Sequence, residues 1–362
     1  MAGTLVFEPA ALRAAVAAVI AGFGSTPAEC DEVARNLVEA NLAGHDSHGV
    51  GMVPRYVEGF LEGGLTPNAK LRVEVDTGAL LRLDGQAGFG QVIGREAMEM
   101  GIERARAHGV CAVALGNAHH LGRIGAWAEQ AVAAGLVSIH FVNVVARPIV
   151  APHGGADARF GTNPFTAGVP LRGRPPMILD FATSMIAQGK TRVAHNKGEP
   201  VPEGCLIDDQ GRPTTDPRWS VTEPPGAILP FGLHKGYGLA VLCELLGGAL
   251  AGGQTGHREQ GTRRRVLNGM LSVLIDPCAL GDLDRFESEA LDFAAWVTAS
   301  PARAGFGPVQ LAGDPERALR ERRLREGIPV DPETWRQILE GGERLGVPAE
   351  AVRRLGRPAA TA

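Results

Sequence analysis

GNAHHLGRIGAW, residues 116–127, lies where an apolar run ends and a helical pattern begins. Upstream, VCAVAL (110–115) is short, β-rich and apolar enough for a buried strand. Downstream, the spacing predicts a helix over about 124–134. The stretch is therefore a strand-to-helix turn, the place where α/β proteins gather their ligands. It carries two adjacent histidines among small residues. These could be a metal site, packed core side chains, or an acid–base group beside a cofactor.

Working outward, LRVEVDTGALLRLDG (71–85) reads as two strands around a turn, and LVSIHFVNVV, MILDF and LSVLI as further buried strands. Helical patterns fall at about 91–108 and 235–251. The first seventy residues read as helices. Leu12, Val16, Val19 and Phe23 recur at helical spacing. Thr26 is the expected N-cap of a second helix, with Pro27 at its first position, Glu29 closing a capping box and Gly44 as its stop. Beyond about 285 the chain is helical and charged again, with Asp314–Pro315 and Asp331–Pro332 as cap and first-position pairs. The fold expected is α/β: a mixed-sheet domain (73–284) inserted between helical ends (1–72 and 285–362) that pack together.

Composition narrows the function. A net charge of −4 gives no reason to expect nucleic acid or an anionic membrane as partner. No segment reaches the ~18 uncharged apolar residues of a membrane span, and the apolar start lacks the basic region of a signal peptide. Five widely spaced cysteines without a CxxC fit reduced thiols in a cytoplasmic protein.

The usual dinucleotide fingerprint is missing. GFGQVIG (88–94) has its third glycine one residue late, and GYGLAV (236–241) lacks it. SMIAQGKT (184–191) has Ser184 where a phosphate-binding loop needs glycine. His45 and His48, with His119 and His120, could be the ligands of a metal hydrolase. However, no HExxH occurs, and neighbours in an extended segment point opposite ways. No metal is expected.

Six stretches in register carry a resemblance: NLAGHDSHGVGMVPRYVEGFLEGGL, GNAHHLGRIGAWAEQA, FGTNPF, LDFATSMIAQGKTRVA, CLIDDQGRPTTDP and HKGYGLAVLCELLGGALAGG. Over nearly the whole chain the sequence resembles the malate/L-lactate dehydrogenase family, nearest its hydroxycarboxylate dehydrogenase B branch. The resemblance implies a homodimer that uses NADH or NADPH on a non-Rossmann fold, without metal, to interconvert 2-oxo and 2-hydroxy acids. It places the catalytic histidine on His120, with His48 and Ser47 beside substrate and cofactor, and leaves His119 a structural role. For the cofactor it carries over His48, Gly122, Arg123, Ile124, Ile178, Leu179, Asp180, Phe181, Ala182, His234, Asn268, Gly313, Asp314, Pro315 and Glu316.

Chemistry supports the histidine independently. Reducing a ketone by hydride transfer needs a proton donor near the developing alkoxide, and histidine titrates nearest neutrality. Asp314 and Glu316 would repel phosphate, so contact there should be through backbone or to adenine and ribose. Lys190 could lend electrostatic support or form a structural ion pair. One position departs from the family. Met52 stands where many members carry an arginine suited to gripping a carboxylate, so Arg123, Arg55 or Arg147 must serve, or the substrate is held otherwise. The change favours a roomier, more apolar pocket, compatible with aryl or long-chain 2-oxo acids. Rival readings are reduction of a cyclic imine acid, metal-dependent hydrolysis, and nucleotide binding without catalysis.

Overall fold

A computed structural model describes residues 4–258 and 265–358. Helices α1 (Pro9–Ala21), α2 (Pro27–Leu42) and α3 (Val53–Leu61) follow the short strand β1 (Leu5–Phe7). The Thr26 hydroxyl accepts from the Glu29 amide, and Gly44 ends the helix region at φ +84°. The reciprocal half of the expected capping box is absent. The Glu29 carboxylate instead accepts the Asn68 backbone N–H at 2.9 and 3.0 Å, tying α2 to the segment that leads into the sheet.

The hairpin β2 (Arg72–Asp76) and β3 (Leu80–Asp84) precedes α4 (Gly90–His108), β4 (Val110–His119), α5 (Gly125–Ala133) and β5 (Val137–Val145). Then come β6 (Phe165–Val169), which the sequence reading missed, β7 (Met177–Phe181), α6 (Gln188–Lys197), β8 (Leu206–Ile207), β9 (Pro213–Thr214), α7 (Arg218–Val221) and β10 (Ala227–Ile228). Helix α8 (His234–Leu242) continues as a π-helical segment (Cys243–Leu250), so the expected single helix changes its winding midway. Strand β11 (Leu267–Ile275), α9 (Leu283–Thr298), α10 (Asp314–Glu326), β12 (Ile328–Val330), α11 (Pro332–Arg344) and α12 (Ala349–Leu355) complete the described chain.

Seven strands form a mixed sheet in the order β2-β3-β4-β11-β5-β6-β7, in which β3 and β4 are parallel and the other pairs antiparallel. Helices α4 and α5 pack on the sheet, with Trp127, Ile93, Met98, Val113 and Met270 in its core. A second core joins the chain ends: Leu12, Val16, Val19, Leu37, Tyr56 and Val57 pack with Ile328, Trp335, Ile338 and Val352. Asp331 caps α11 as expected. Asp314 does not cap α10. Gly313 occupies that place at φ +94°, and Asp314 turns back to accept the Leu311 amide, a geometry that only glycine enters without strain. No described helix is long and apolar enough to cross a membrane.

Two features of this frame position the site. Strand β11 runs between β4 and β5, so its first residues lie against the end of β4, with Leu267 opposite His119. Gly116 and Asn117 of β4 then face only Gly269, a bulge with Asn117 at φ +52°. Bulges re-aim the side chains that follow them, and here the two histidines follow.

Candidate active site

His48 arrives from the other core. After Gly44, residues Asp46–His48 form a single tight turn. Asp46 takes the Arg323 guanidinium of α10 at 2.7 and 2.9 Å and the Asn41 side-chain amide at 2.6 Å. Asn41 also accepts the Val50 N–H at 2.8 Å. Asp46 thus serves the backbone, while His48 is presented to the sheet. Its ring lies nearly parallel to that of His120, with centroids 5.6 Å apart and planes at 14°. The Ser47 hydroxyl lies 3.0 Å from Nδ1 of His48. The N-terminal end of α6 closes on the same turn: a Cβ on Gly189 would come within 3.0 Å of the Ser47 Cβ.

His120 is buried, and its Nδ1 lies 2.8 Å from the Tyr56 hydroxyl. That hydroxyl also accepts the Gln91 amide N–H at 2.7 Å. The hydroxyl oxygen can accept Nδ1–H both from the imidazolium and from the neutral tautomer that has its free lone pair on Nε2. The one contact therefore orients His120 in both protonation states and leaves Nε2 for a substrate. The sequence reading missed Tyr56 and Gln91, because α3 and α4 lie far from residue 120 along the chain. The signal was present in α3, where Tyr56 shares the helical face of Val53 and Val57, but a tyrosine there reads as ordinary core.

Burial holds these imidazoles neutral. Loss of hydration, then the adjacent His48 and His119, push His120 well below the ordinary histidine value. His48 is only half-buried by surface exposure, yet it is enclosed enough that lost hydration lowers it to about 4, against the opposing pull of the Asp180 carboxylate. His119 falls to about 3 through burial and the nearby Arg55 and Arg265. Its ring meets Tyr56 edge-on at 5.5 Å, and neither ring nitrogen has a hydrogen-bond partner among the described residues. His119 packs; His120 faces its counterpart from the helical core.

Beside this pair lies a cleft of about 280 Å³, lined by Arg123, Ile178, Asp180, Gly313 and Glu316 with Glu39, Glu129, Arg317 and Arg320. Asp180 accepts the Gly125 N–H at 2.8 Å at the start of α5 and the Thr166 hydroxyl at 2.9 Å. Strand alternation divides the 178–182 stretch. Ile178 and Asp180 line the cleft, whereas Leu179 is exposed and Phe181 packs at a tilt against Phe165 and edge-on against Phe231. Gly122, at φ +74°, leaves no room for a Cβ, which would come within 2.6 Å of Asn36.

The remaining sequence candidates lie elsewhere or are committed. Asn268 accepts the Leu121 N–H at 2.8 Å and donates to the Asn143 carbonyl at 2.8 Å, so it fixes the backbone just after His120 from outside the cleft. It borders a separate cavity of about 300 Å³ with Asp84 and Asn117. His234 starts α8 in an exposed position, its ring 6.2 Å from His153. Lys190 is exposed on α6. Met52 packs against the helical core. Arg147 pairs with Glu223 at the surface, and Arg55 lies 3.6 Å from Glu58. Arg123 is buried, pairs with Glu129, and is close enough to His48 to lower its basicity. Among the described residues, no three of histidine, cysteine, aspartate and glutamate converge as metal ligands.

Comparison with known proteins identifies the family of the chain as a whole. The profile of the family described as malate/L-lactate dehydrogenase matches residues 7–339. The chain is 48% identical to hydroxycarboxylate dehydrogenase B of Escherichia coli K12, over 96% of each protein. The sulfolactate dehydrogenase structure from Methanocaldococcus jannaschii superposes with a TM-score of 0.86 at 32% identity, over 96% of this chain and 99% of that one. The structure of a delta1-piperideine-2-carboxylate reductase from Pseudomonas syringae gives 0.79 at 30% identity, over 94% and 100%. With most of its length matched by the family profile and nearly all of it by these relatives, the chain belongs to the malate/L-lactate dehydrogenase family.

Proposed function

We propose that the protein interconverts 2-oxo acids and 2-hydroxy acids with a nicotinamide coenzyme, on a scaffold other than the doubly wound one. The observation that carries this reading is the near-parallel His48–His120 pair, with Tyr56 on Nδ1 of the buried His120. When bound, the coenzyme would supply or accept the hydride. His120 gives a proton through Nε2 to the oxygen of the reduced ketone, and takes it back in the reverse direction. His48 and Ser47 position the carbonyl. A substrate carboxylate brings negative charge beside imidazoles that are otherwise neutral, and so favours the imidazolium that reduction requires.

The cleft suits a nucleotide. Its volume is near the small end of the roughly 300–1,000 Å³ of ligand pockets. It offers an apolar wall at Ile178 and carboxylate acceptors at Asp180 and Glu316. Arg123, Ile178, Asp180, Gly313 and Glu316 would hold the adenosine end, and Gly122 and Ile124 the adjoining backbone. We place a homodimer contact on α9, whose Phe293 and Trp296 are 61% and 72% exposed, and a cytoplasmic location.

Following the absorbance of reduced nicotinamide against a panel of 2-oxo acids, including aryl and long-chain members, tests the activity. Turnover of several is expected, and none with either coenzyme would refute the reading. The likeness to the piperideine-2-carboxylate reductase structure makes a cyclic imine acid the second substrate class to include. Preference for the imine over every ketone would select that alternative.

A further inference from the structure

We propose that the cleft beside His48 selects NADH over NADPH, because its carboxylates accept an unmodified ribose and repel a 2′-phosphate. The inference rests on the reading of this cleft as the adenosine site and adds to it the coenzyme's identity. A 2′-phosphate needs an arginine free to receive it, whereas a ribose diol is recognised by a carboxylate that accepts its hydroxyl protons.

Three arginines line the cleft, and each is already committed. Arg320 is paired with Glu39 at 2.9 and 3.1 Å. Arg317 holds Asp314 and donates to the Pro176 carbonyl at 2.9 Å. Arg123 is paired with Glu129. Two lining carboxylates have no arginine within ion-pair distance among the described residues. Asp180 accepts from the neutral donors Gly125 N–H and Thr166 Oγ1, and Glu316 lies 3.8 Å from His45. The lining therefore carries an excess of negative charge, inside a partly enclosed space where a phosphate dianion would be poorly screened.

Fluorescence titration of the ligand-free protein with NADH and with NADPH reads this directly, without turnover. The wild type should bind NADH more tightly by about tenfold or more. Glu39→Gln releases Arg320 from its partner, and Glu316→Gln removes a repelling charge. Each should tighten NADPH binding and narrow the ratio to within about threefold, with circular dichroism establishing that the variants are folded. Equal or tighter binding of NADPH by the wild type overturns the proposal. So does a preference for NADH that neither substitution changes, since the discriminating groups would then lie outside this cleft. Failure of both coenzymes to bind would instead refute the reading beneath it, that the protein uses a nicotinamide coenzyme.

Discussion

The Tyr56 hydroxyl lies 2.8 Å from Nδ1 of His120, and Gln91 holds that hydroxyl from the opposite side at 2.7 Å. The first residue belongs to the helical core, the second directly follows a sheet strand, and the third lies in the first turn of the helix that covers the sheet. His120, the proposed proton carrier, is thus oriented by the junction of the two cores. Tyr56→Phe keeps the ring packing against Phe89 and His119 but removes the orienting contact. It should lower kcat by roughly ten- to a hundredfold, part of the worth of a positioned acid, with little change in coenzyme affinity. A merely structural tyrosine would leave the pH profile of kcat unmoved, so a profile identical to wild type would remove Tyr56 from the mechanism.

Removing the imidazole itself is more severe. His120→Ala should reduce turnover by roughly 10²–10⁴, while NADH titration of the same variant gives near-normal binding. His119→Asn should cost far less turnover, since His119 meets only packing neighbours. Comparable losses in the two variants would contradict the division of roles between them.

Acid should destabilise the fold. His119, His120 and His140 are all buried, and burial lowers each one, His119 to about 3 and His140 to about 4. The unfolded chain binds these protons near the ordinary value of about 6.5, and the folded chain does not. Between those values the unfolded state holds more protons, so stability is fully present above about pH 6.5 and is lost as pH falls towards 4. Urea midpoints measured from pH 8 to pH 4.5 should be level at first and then decline. A midpoint that rises on acidification would show that these imidazoles are charged in the folded protein.

Arg123 is expected to serve the coenzyme. It lines the cleft with Asp180 and Gly313, and its charge is shared with Glu129. Lysine lacks the planar fork that makes this pairing, so Arg123→Lys should weaken NADH binding more than it raises KM for the 2-oxo acid. The reverse pattern would make Arg123 the carboxylate clamp that Met52 has vacated.

Much of the fold was legible along the chain. Alternation, helix spacing and punctuation by Thr26, Gly44 and Asp331 located most strands and helices within a few residues, because these signals are local. The exceptions have local causes too. Glu29 found a better partner in Asn68 than in its own helix start, and the αL position before α10 needed Gly313 rather than Asp314 at the cap. Strand β6, FTAGV, is short and its glycine obscures the pattern, so only its pairing with β5 and β7 reveals it.

The candidate site divides in the same way. By itself the sequence determined its ingredients: a histidine pair in a strand-to-helix turn, a DSHG turn and the wording of a dehydrogenase family. Tertiary structure alone decided which atoms meet. The β4 bulge and the insertion of β11 aim His120, the Arg323–Asp46 pair presents His48, and Tyr56 and Gln91 arrive from helices 64 and 29 residues away in the chain. Strand alternation chose Asp180 and Ile178 over Leu179 and Phe181 for the cleft. The reason is physical. Residue type and spacing set what a segment can do, but burial, and with it each imidazole's proton affinity, exists only once distant segments have excluded water from around it.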